Sequence, residues 1–93
     1  MACGYTRDDI EEIVVNVYSG ILKDPSLTKD SRFGMGNEIP IDDNAKRLFF
    51  FPIEKSVDRV PDCILKKFSP DVCQKAKTIG DVIDAICKEF KIK

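Results

Sequence analysis

Residues 77–90 read KTIGDVIDAICKEF, and this stretch predicts an amphipathic helix with a defined start. Thr78 stands three residues before Asp81, which is the spacing of a capping box, where each side chain accepts a hydrogen bond from the other residue's backbone N–H. Apolar side chains then recur at helical spacing. This stripe consists of Ile79, Val82, Ile83, Ile86 and Phe90. We expect a helix over about 79–90 that buries it.

The same capping-box spacing occurs near the other end of the chain. Residues 6–22 read TRDDIEEIVVNVYSGIL, with Thr6 three residues before Asp9. Acidic residues crowd the first turns, where negative charge complements the helix dipole. The pattern predicts a helix over 7–22 with an apolar stripe at helical spacing. The two helices are expected to pack together through Ile10, Val14, Val17, Val82, Ile83 and Ile86, with Ile13 and Ile21 completing the first stripe.

Residues 23–47 carry loop signals instead of a regular period. Prolines and glycines interrupt them, so we expect a long, mostly irregular connection that is functional or mobile. LFFFPIEKSV, residues 48–57, follows. Its β-prone start has no second strand to pair with, which favours a buried loop or a short helical turn. We expect Phe49–Phe51 to lie in the core, with a docking hook as the alternative.

Three prolines, at positions 52, 61 and 70, are spaced nine residues apart. Proline is best tolerated in the first turn of a helix, so this spacing suggests short helical segments, each with a proline near its start. SPDVCQKAK, residues 69–77, fits well, because Ser69 can cap a helix whose first residue is Pro70.

Length and composition restrict the class of protein. Ninety-three residues form one domain, 1–93, with a small core, and 43% apolar with 33% charged residues is ordinary for a soluble chain. No apolar run approaches the roughly 20 residues that span a bilayer, and MACGYTRDD does not resemble a signal peptide. We therefore expect a cytoplasmic monomer that does not insert into membranes.

The cysteines and the charged residues argue against several further classes of function. The four cysteines form no CxxC pair and the chain has no histidine, so we expect neither a metal site nor a Cys-His nucleophile. We expect the cysteines to be small core or surface residues, with redox chemistry or a disulfide as the minor alternative. The net charge of -1 and the clustering of the phenylalanines argue against nucleic-acid binding.

Four motifs, in this order, resemble an acyl carrier protein: TRDDIEEIV, a Ser-apolar-Asp-x-Val sequence, a short helix opened by Pro-Asp, and TIGDVIDAI. The resemblance covers nearly the whole chain apart from the long loop. It implies an all-α, small four-helix bundle with a long loop after helix 1, and a protein that is not an enzyme. It also implies 4'-phosphopantetheine on a serine at the start of the second helix. That arm carries acyl intermediates as thioesters for a dedicated lipid or secondary-metabolite pathway, with a phosphopantetheinyl transferase and acyl-transferring enzymes as partners.

Carried over to this chain, the resemblance places the modified serine at Ser56. Pro70 and Asp71 match the opening of the third helix. Four features depart from the family. The loop before Ser56 is longer than usual, and the interval from Ser56 to Pro70 is shorter. Lys55 replaces the usual aspartate, and Pro61 would lie five residues into the second helix, where an interior proline costs about 3 kcal/mol. The implied partner surface comprises Lys55, Asp58 and Arg59, and the implied acyl pocket comprises Val14, Val17, Val60, Ile64, Ile83 and Ile86.

A second register remains open. LTKDSRF, residues 27–33, resembles the loop that precedes the family's serine, and aligning it there places Asp42–Asn44 where the Asp-Ser-Leu signature belongs. Val60–Asp62 would then open the third helix. In this register Asp43 occupies the serine position, so no cofactor can be attached. The chain would be a cofactor-free protein–protein interaction module of the same fold.

Overall fold

The computed structural model describes residues 3–92, which hold five helical segments. In chain order these are α1 (Arg7–Leu22), α2 (Asp43–Leu48), α3 (Phe50–Val57), α4 (Pro70–Lys75) and α5 (Ile79–Glu89). Phe49 alone separates α2 from α3, and its backbone is right-handed helical. We call α2 and α3 together the second rod, and count α1, α4 and α5 as the other three rods of the bundle. Within the described residues, β pairing is confined to two isolated bridges. The prediction of a small all-α bundle is confirmed.

The first and last helices lie where the sequence predicts them. α1 has the predicted bounds, and α5 ends one residue earlier than expected. Both capping boxes form: the Thr6 hydroxyl accepts a hydrogen bond from the Asp9 N–H at 3.2 Å, and Thr78 accepts one from Asp81 at 3.2 Å. These caps satisfy amides that have no partner inside the helix.

The core lies where α1 packs against α5 and α3. Three α1 residues spaced by four are fully buried, namely Ile10, Val14 and Tyr18. Ile13 and Val17 are only partly buried and Ile21 is exposed, so three members of the predicted stripe flank the core instead of entering it. The buried residues of α5 are Ile79, Val82, Ile83, Ile86 and Cys87.

The middle of the chain differs from the prediction. The expected helix from Ser56 to Phe68 does not form: α3 begins at Phe50, and residues 58–69 form a loop. Pro52 lies in the first turn of α3, where its missing N–H is harmless, whereas Pro61 within a continued helix would remove a hydrogen bond. The predicted irregular stretch 23–47 is also too long, because α2 begins at Asp43, with Asp42 as its N-cap.

The long loop, residues 23–42, is held by hydrogen bonds to the start of α5. The Phe33 N–H donates to the Lys77 carbonyl at 2.9 Å, and the Gly80 N–H donates to the Lys29 carbonyl at 2.7 Å. A Cβ at position 80 would lie 3.0 Å from that same oxygen, so glycine permits the close approach of the two backbones. The loop is therefore irregular but attached.

Membrane insertion was predicted to be absent. In the part of the chain that the structure describes, no helix combines the length and apolar character needed to cross a bilayer.

Candidate functional site

Ser56, the residue predicted to carry the cofactor, lies in the last turn of α3. The helix ends one residue later at Val57, and the N–H of Asp58 closes it by donating to the Glu54 carbonyl at 2.9 Å. The prediction that Ser56 begins a helix is wrong, because the helix starts six residues before it. Whether the hydroxyl is modified stays a prediction.

The Ser56 side chain lines an open groove between α1 and α3 with a volume of about 580 Å³. One face of α1 and one of α3 form its walls, since the α1 residues recur at helical spacing. The lining residues are Ile13, Asn16, Val17, Gly20 and Ile21 from α1, Pro52 and Ser56 from α3, and Tyr5 and Arg59 beyond the helices. Their mixed apolar and polar character makes this a shallow contact surface more than an enclosed ligand pocket.

One end of the groove is fixed by Tyr5 and Arg59. The Tyr5 hydroxyl donates to the Val57 carbonyl at 3.0 Å, and this bond ties the segment before α1 to the end of α3. Partial burial raises the pKa of Tyr5, while the positive charge of Arg59 opposes that shift. Arg59 is exposed and forms none of the ion pairs found within residues 3–92. Its charge is therefore available at this end of the groove.

The predicted acyl pocket does not assemble. Val14, Ile83 and Ile86 are fully or almost fully buried in the core, and Val17 lines the groove. Val60 and Ile64, the latter 53% exposed, lie in the loop after α3. The prediction for these two residues is wrong because it assumed helical spacing, and the chain is not helical there.

The start of the second rod carries a carboxylate. Asp42 caps α2 by accepting the Ala45 N–H at 2.8 Å, and Asp43 is the first helical residue. The Asp43 side chain is largely exposed, with one oxygen 3.8 Å from the Lys46 ammonium. The second register thus places its aspartate at an actual helix start.

Neither register agrees with the structure throughout. The second one expects the next helix to open at Val60–Asp62, and this is wrong, because those residues lie in the loop. The first one expects Pro70 and Asp71 to open it, and this is confirmed by α4, where Pro70 is the first residue. The helix starts observed are therefore Asp43 for the second rod and Pro70 for the third.

An exposed apolar surface lies on the outer side of the second rod. Leu48 and Phe51 are three residues apart and are 65% and 59% exposed. We call these two residues the apolar patch. The predicted burial of the three consecutive rings is confirmed for Phe49, which stacks on Tyr18 with ring centroids 4.5 Å apart, and is wrong for Phe51.

Charged residues follow the apolar patch along the chain. The predicted partner surface, Lys55, Asp58 and Arg59, is exposed in full. Asp58 also has a local role, since its carboxylate accepts a hydrogen bond from the Leu65 N–H at 3.3 Å and so bends the loop after α3 back on itself.

The prediction that the cysteines are small unpaired residues is correct for two of them and wrong for the other two. Cys73 and Cys87 are buried free thiols, whereas Cys3 and Cys63 form a disulfide. Four cysteines allow three pairings, and nothing in their spacing selects this one. No cluster of potential metal ligands is found among residues 3–92.

Comparison of the chain with known protein families, with characterised proteins and with solved structures gives no match.

Proposed function

We propose that this chain is a cofactor-free interaction module of the acyl-carrier type, which binds another protein through the outer side of its second rod. The observation that carries the proposal is the residue at the start of that rod. Asp43 is the first residue of that rod, and in the second register it occupies the family's serine position. A carboxylate offers no hydroxyl for the transfer of a phosphopantetheine group.

The position of Ser56 supports the same conclusion. A phosphodiester is stabilised at a helix N-terminus, where free amides and the positive end of the dipole meet it. Ser56 lies at the opposite end of α3, near the free carbonyls. A phosphate attached there would face the negative end of the dipole. A carrier modified at Ser56 is the second candidate, and its support is that the side chain lines an open groove.

The apolar patch supports binding to a protein. Exposed aromatic and aliphatic side chains that lie next to one another are typical of interaction surfaces, whereas single exposed apolar residues are ordinary. Leu48 and Phe51 share one side of the rod, and Lys55 follows Phe51 by four residues on that side. The surface thus combines apolar anchors with a positive charge, and favours a partner that presents apolar residues next to acidic ones.

The cofactor question is tested by intact mass after incubation with coenzyme A and a broad-specificity phosphopantetheinyl transferase. We expect no mass gain for the parent chain or for Ser56→Ala. An Asp43→Ser variant restores a hydroxyl at the helix start, and a mass gain in this variant alone supports the assignment of that position. A gain in the parent that disappears in Ser56→Ala would overturn the proposal in favour of the carrier.

The interaction surface is tested by comparing the proteins captured from a cell extract by three forms of the chain. Leu48→Glu places a charge in the apolar patch, while Met35→Glu does so at a residue that is 80% exposed in the long loop. We expect Leu48→Glu to lose a partner that the parent and Met35→Glu both retain. Identical capture by all three forms would refute this surface.

A further inference from the structure

The disulfide joins two segments that lie outside every helix. Cys3 precedes α1 and Cys63 lies in the loop of residues 58–69, with their Cα atoms 4.9 Å apart and a sequence separation of 60. We call residues 58–64 the loop arm. The bond therefore closes a covalent ring that contains α1, the long loop and the second rod.

The burial of Cys63 contrasts with that of its neighbours. Cys63 is 0% exposed, although residues 58–62 and Ile64 are all exposed. Cys63 is also absent from the continuous hydrophobic cluster that the helices form. Its backbone N–H donates only to the nearby Val60 carbonyl, at 2.9 Å, which is a local turn contact. Apart from the Asp58 carboxylate, which accepts the Leu65 N–H at 3.3 Å, the covalent bond to Cys3 is thus the main restraint on this arm.

The second half of the same loop has a different anchor. The Glu89 carboxylate at the end of α5 accepts hydrogen bonds from the backbone N–H groups of Lys66, at 2.5 Å, and Phe68, at 2.7 Å. Leu65 and Phe68 are buried and belong to the hydrophobic cluster. Opening the disulfide would leave these contacts in place, so its effect is confined to the loop arm and the segment before α1.

We propose that the Cys3–Cys63 disulfide is a redox-controlled clasp, which holds the loop arm on the bundle when oxidised and releases it when reduced, while the helices remain folded. This goes beyond the proposed function, because it requires neither a partner nor a cofactor. Such a bond persists in an oxidising compartment, and in a reducing one it is typically transient or redox-sensing.

The chemistry requires only a small thiol and its disulfide. A thiolate attacks the sulfur of Cys3, because Cys3 is a partly exposed residue and Cys63 is fully buried. The S–S bond breaks, its electron pair leaves on the Cys63 sulfur, and that thiolate takes up a proton. A second thiolate then displaces Cys3 from the mixed disulfide. Two thiols are oxidised to one small disulfide as the protein disulfide becomes two thiols, and the reverse reaction uses the small disulfide as oxidant.

The other two thiols do not interfere. Cys73 and Cys87 are buried, and burial raises the pKa of each, which keeps them protonated at neutral pH. Protonated, inaccessible thiols are poor nucleophiles. Exchange is therefore directed to the one pair that bridges the two segments.

Release of the clasp would also alter the groove between α1 and α3. Tyr5 is two residues from Cys3, and Arg59 is four residues from Cys63, and both line the same end of the groove. The tyrosine hydroxyl remains tied to the Val57 carbonyl by one hydrogen bond. We expect reduction to widen this end of the groove, because the segment before α1 and the loop arm are then no longer joined by a covalent bond.

Limited trypsin digestion of the full chain tests the clasp. The protein is equilibrated with glutathione disulfide or with reduced glutathione, and the thiols are counted to establish each state. Cleavage after Arg59, in the loop arm, is followed by mass spectrometry. Cleavage after Lys23 and Lys29, in the long loop, serves as the internal reference, and circular dichroism reports the helices. Reduction should speed cleavage after Arg59 by roughly tenfold relative to the references, because proteolysis follows the population of the opened segment.

A Cys3→Ser variant provides the matched control, since it removes the bond and retains the loop sequence. It should be cleaved after Arg59 as fast as the reduced parent under both conditions. Equal cleavage of the oxidised and reduced parent would overturn the proposal, as would a thiol count that shows no bond in glutathione disulfide. Loss of the helical signal on reduction would also overturn it, because the bond would then be a staple for the whole fold.

Discussion

Replacing Tyr18 by phenylalanine should raise the free energy of unfolding, although it removes a polar group from the centre of the core. The Tyr18 side chain is 0% exposed, and its hydroxyl has no hydrogen-bond partner among the described residues. The Cys73 thiol lies beside it without hydrogen-bond geometry, and sulfur is a weak acceptor. Burial accordingly raises the pKa of Tyr18.

The size of the effect follows from the unmade hydrogen bond. An unpaired buried hydroxyl costs about 1–3 kcal/mol of desolvation. The contact with the thiol offsets part of that cost, and we expect a net gain of about 1 kcal/mol, or roughly 4–8 °C in Tm for a domain of this size. The aromatic contacts remain, because phenylalanine keeps the ring that lies 4.5 Å from Phe49 and 5.2 Å from Phe33 between centroids.

Tyr5→Phe is the matched control, because the Tyr5 hydroxyl does have a partner. It donates to the Val57 carbonyl at 3.0 Å in a partly buried setting. Its removal should lower the free energy of unfolding by about 0.5–1.5 kcal/mol, the opposite sign. Both variants are compared with the parent by equilibrium urea unfolding at neutral pH with the disulfide intact. A loss of stability in Tyr18→Phe would refute the reasoning, since it would mean that the hydroxyl is satisfied.

Three further predictions concern the core and the loop after α3. Ile83→Ala should lower the free energy of unfolding by about 2–5 kcal/mol, because it removes a buried side chain from α5. An unchanged Tm would contradict the assignment of Ile83 to the core. Burial raises the pKa of Cys73 in the folded protein from 9.0 to about 12. The neutral thiol therefore contributes stability that is complete below pH 9.0 and is lost as the pH rises through about 12. Between about pH 8 and about pH 12, the free energy of unfolding should fall less for Cys73→Ala than for the parent. An equal fall in both would mean that other groups cause the alkaline loss of stability. Glu89→Ala should lower the free energy of unfolding by about 1.5–3 kcal/mol, because it removes two charge-assisted hydrogen bonds. It should also speed amide hydrogen exchange at Lys66 and Phe68. Unchanged exchange would show that other contacts hold the loop.

The helices whose signals are local could be predicted from the sequence alone. The capping boxes at Thr6 and Thr78 involve residues only three apart, and a 3.6-residue apolar period follows each of them. Pro70 predicted the start of α4 for the same reason, because a proline at the first helical position acts within one turn. The Ser69 side chain occupies the N-cap position but forms no capping hydrogen bond. These features persist whatever the rest of the chain does, so reasoning from short windows recovered them.

The start and end of the second rod, and with them the candidate site, depend on tertiary packing. Residues 48–53 are almost continuously apolar, so no period separates a buried face from an exposed one. Packing buries Phe49 against Tyr18 and leaves Phe51 in solvent, and Ser56 thereby falls at the end of a helix instead of its start. The disulfide likewise joins Cys3 to a residue 60 positions away. Contacts at such separation depend on how the rods assemble, and no local pattern of residues encodes them.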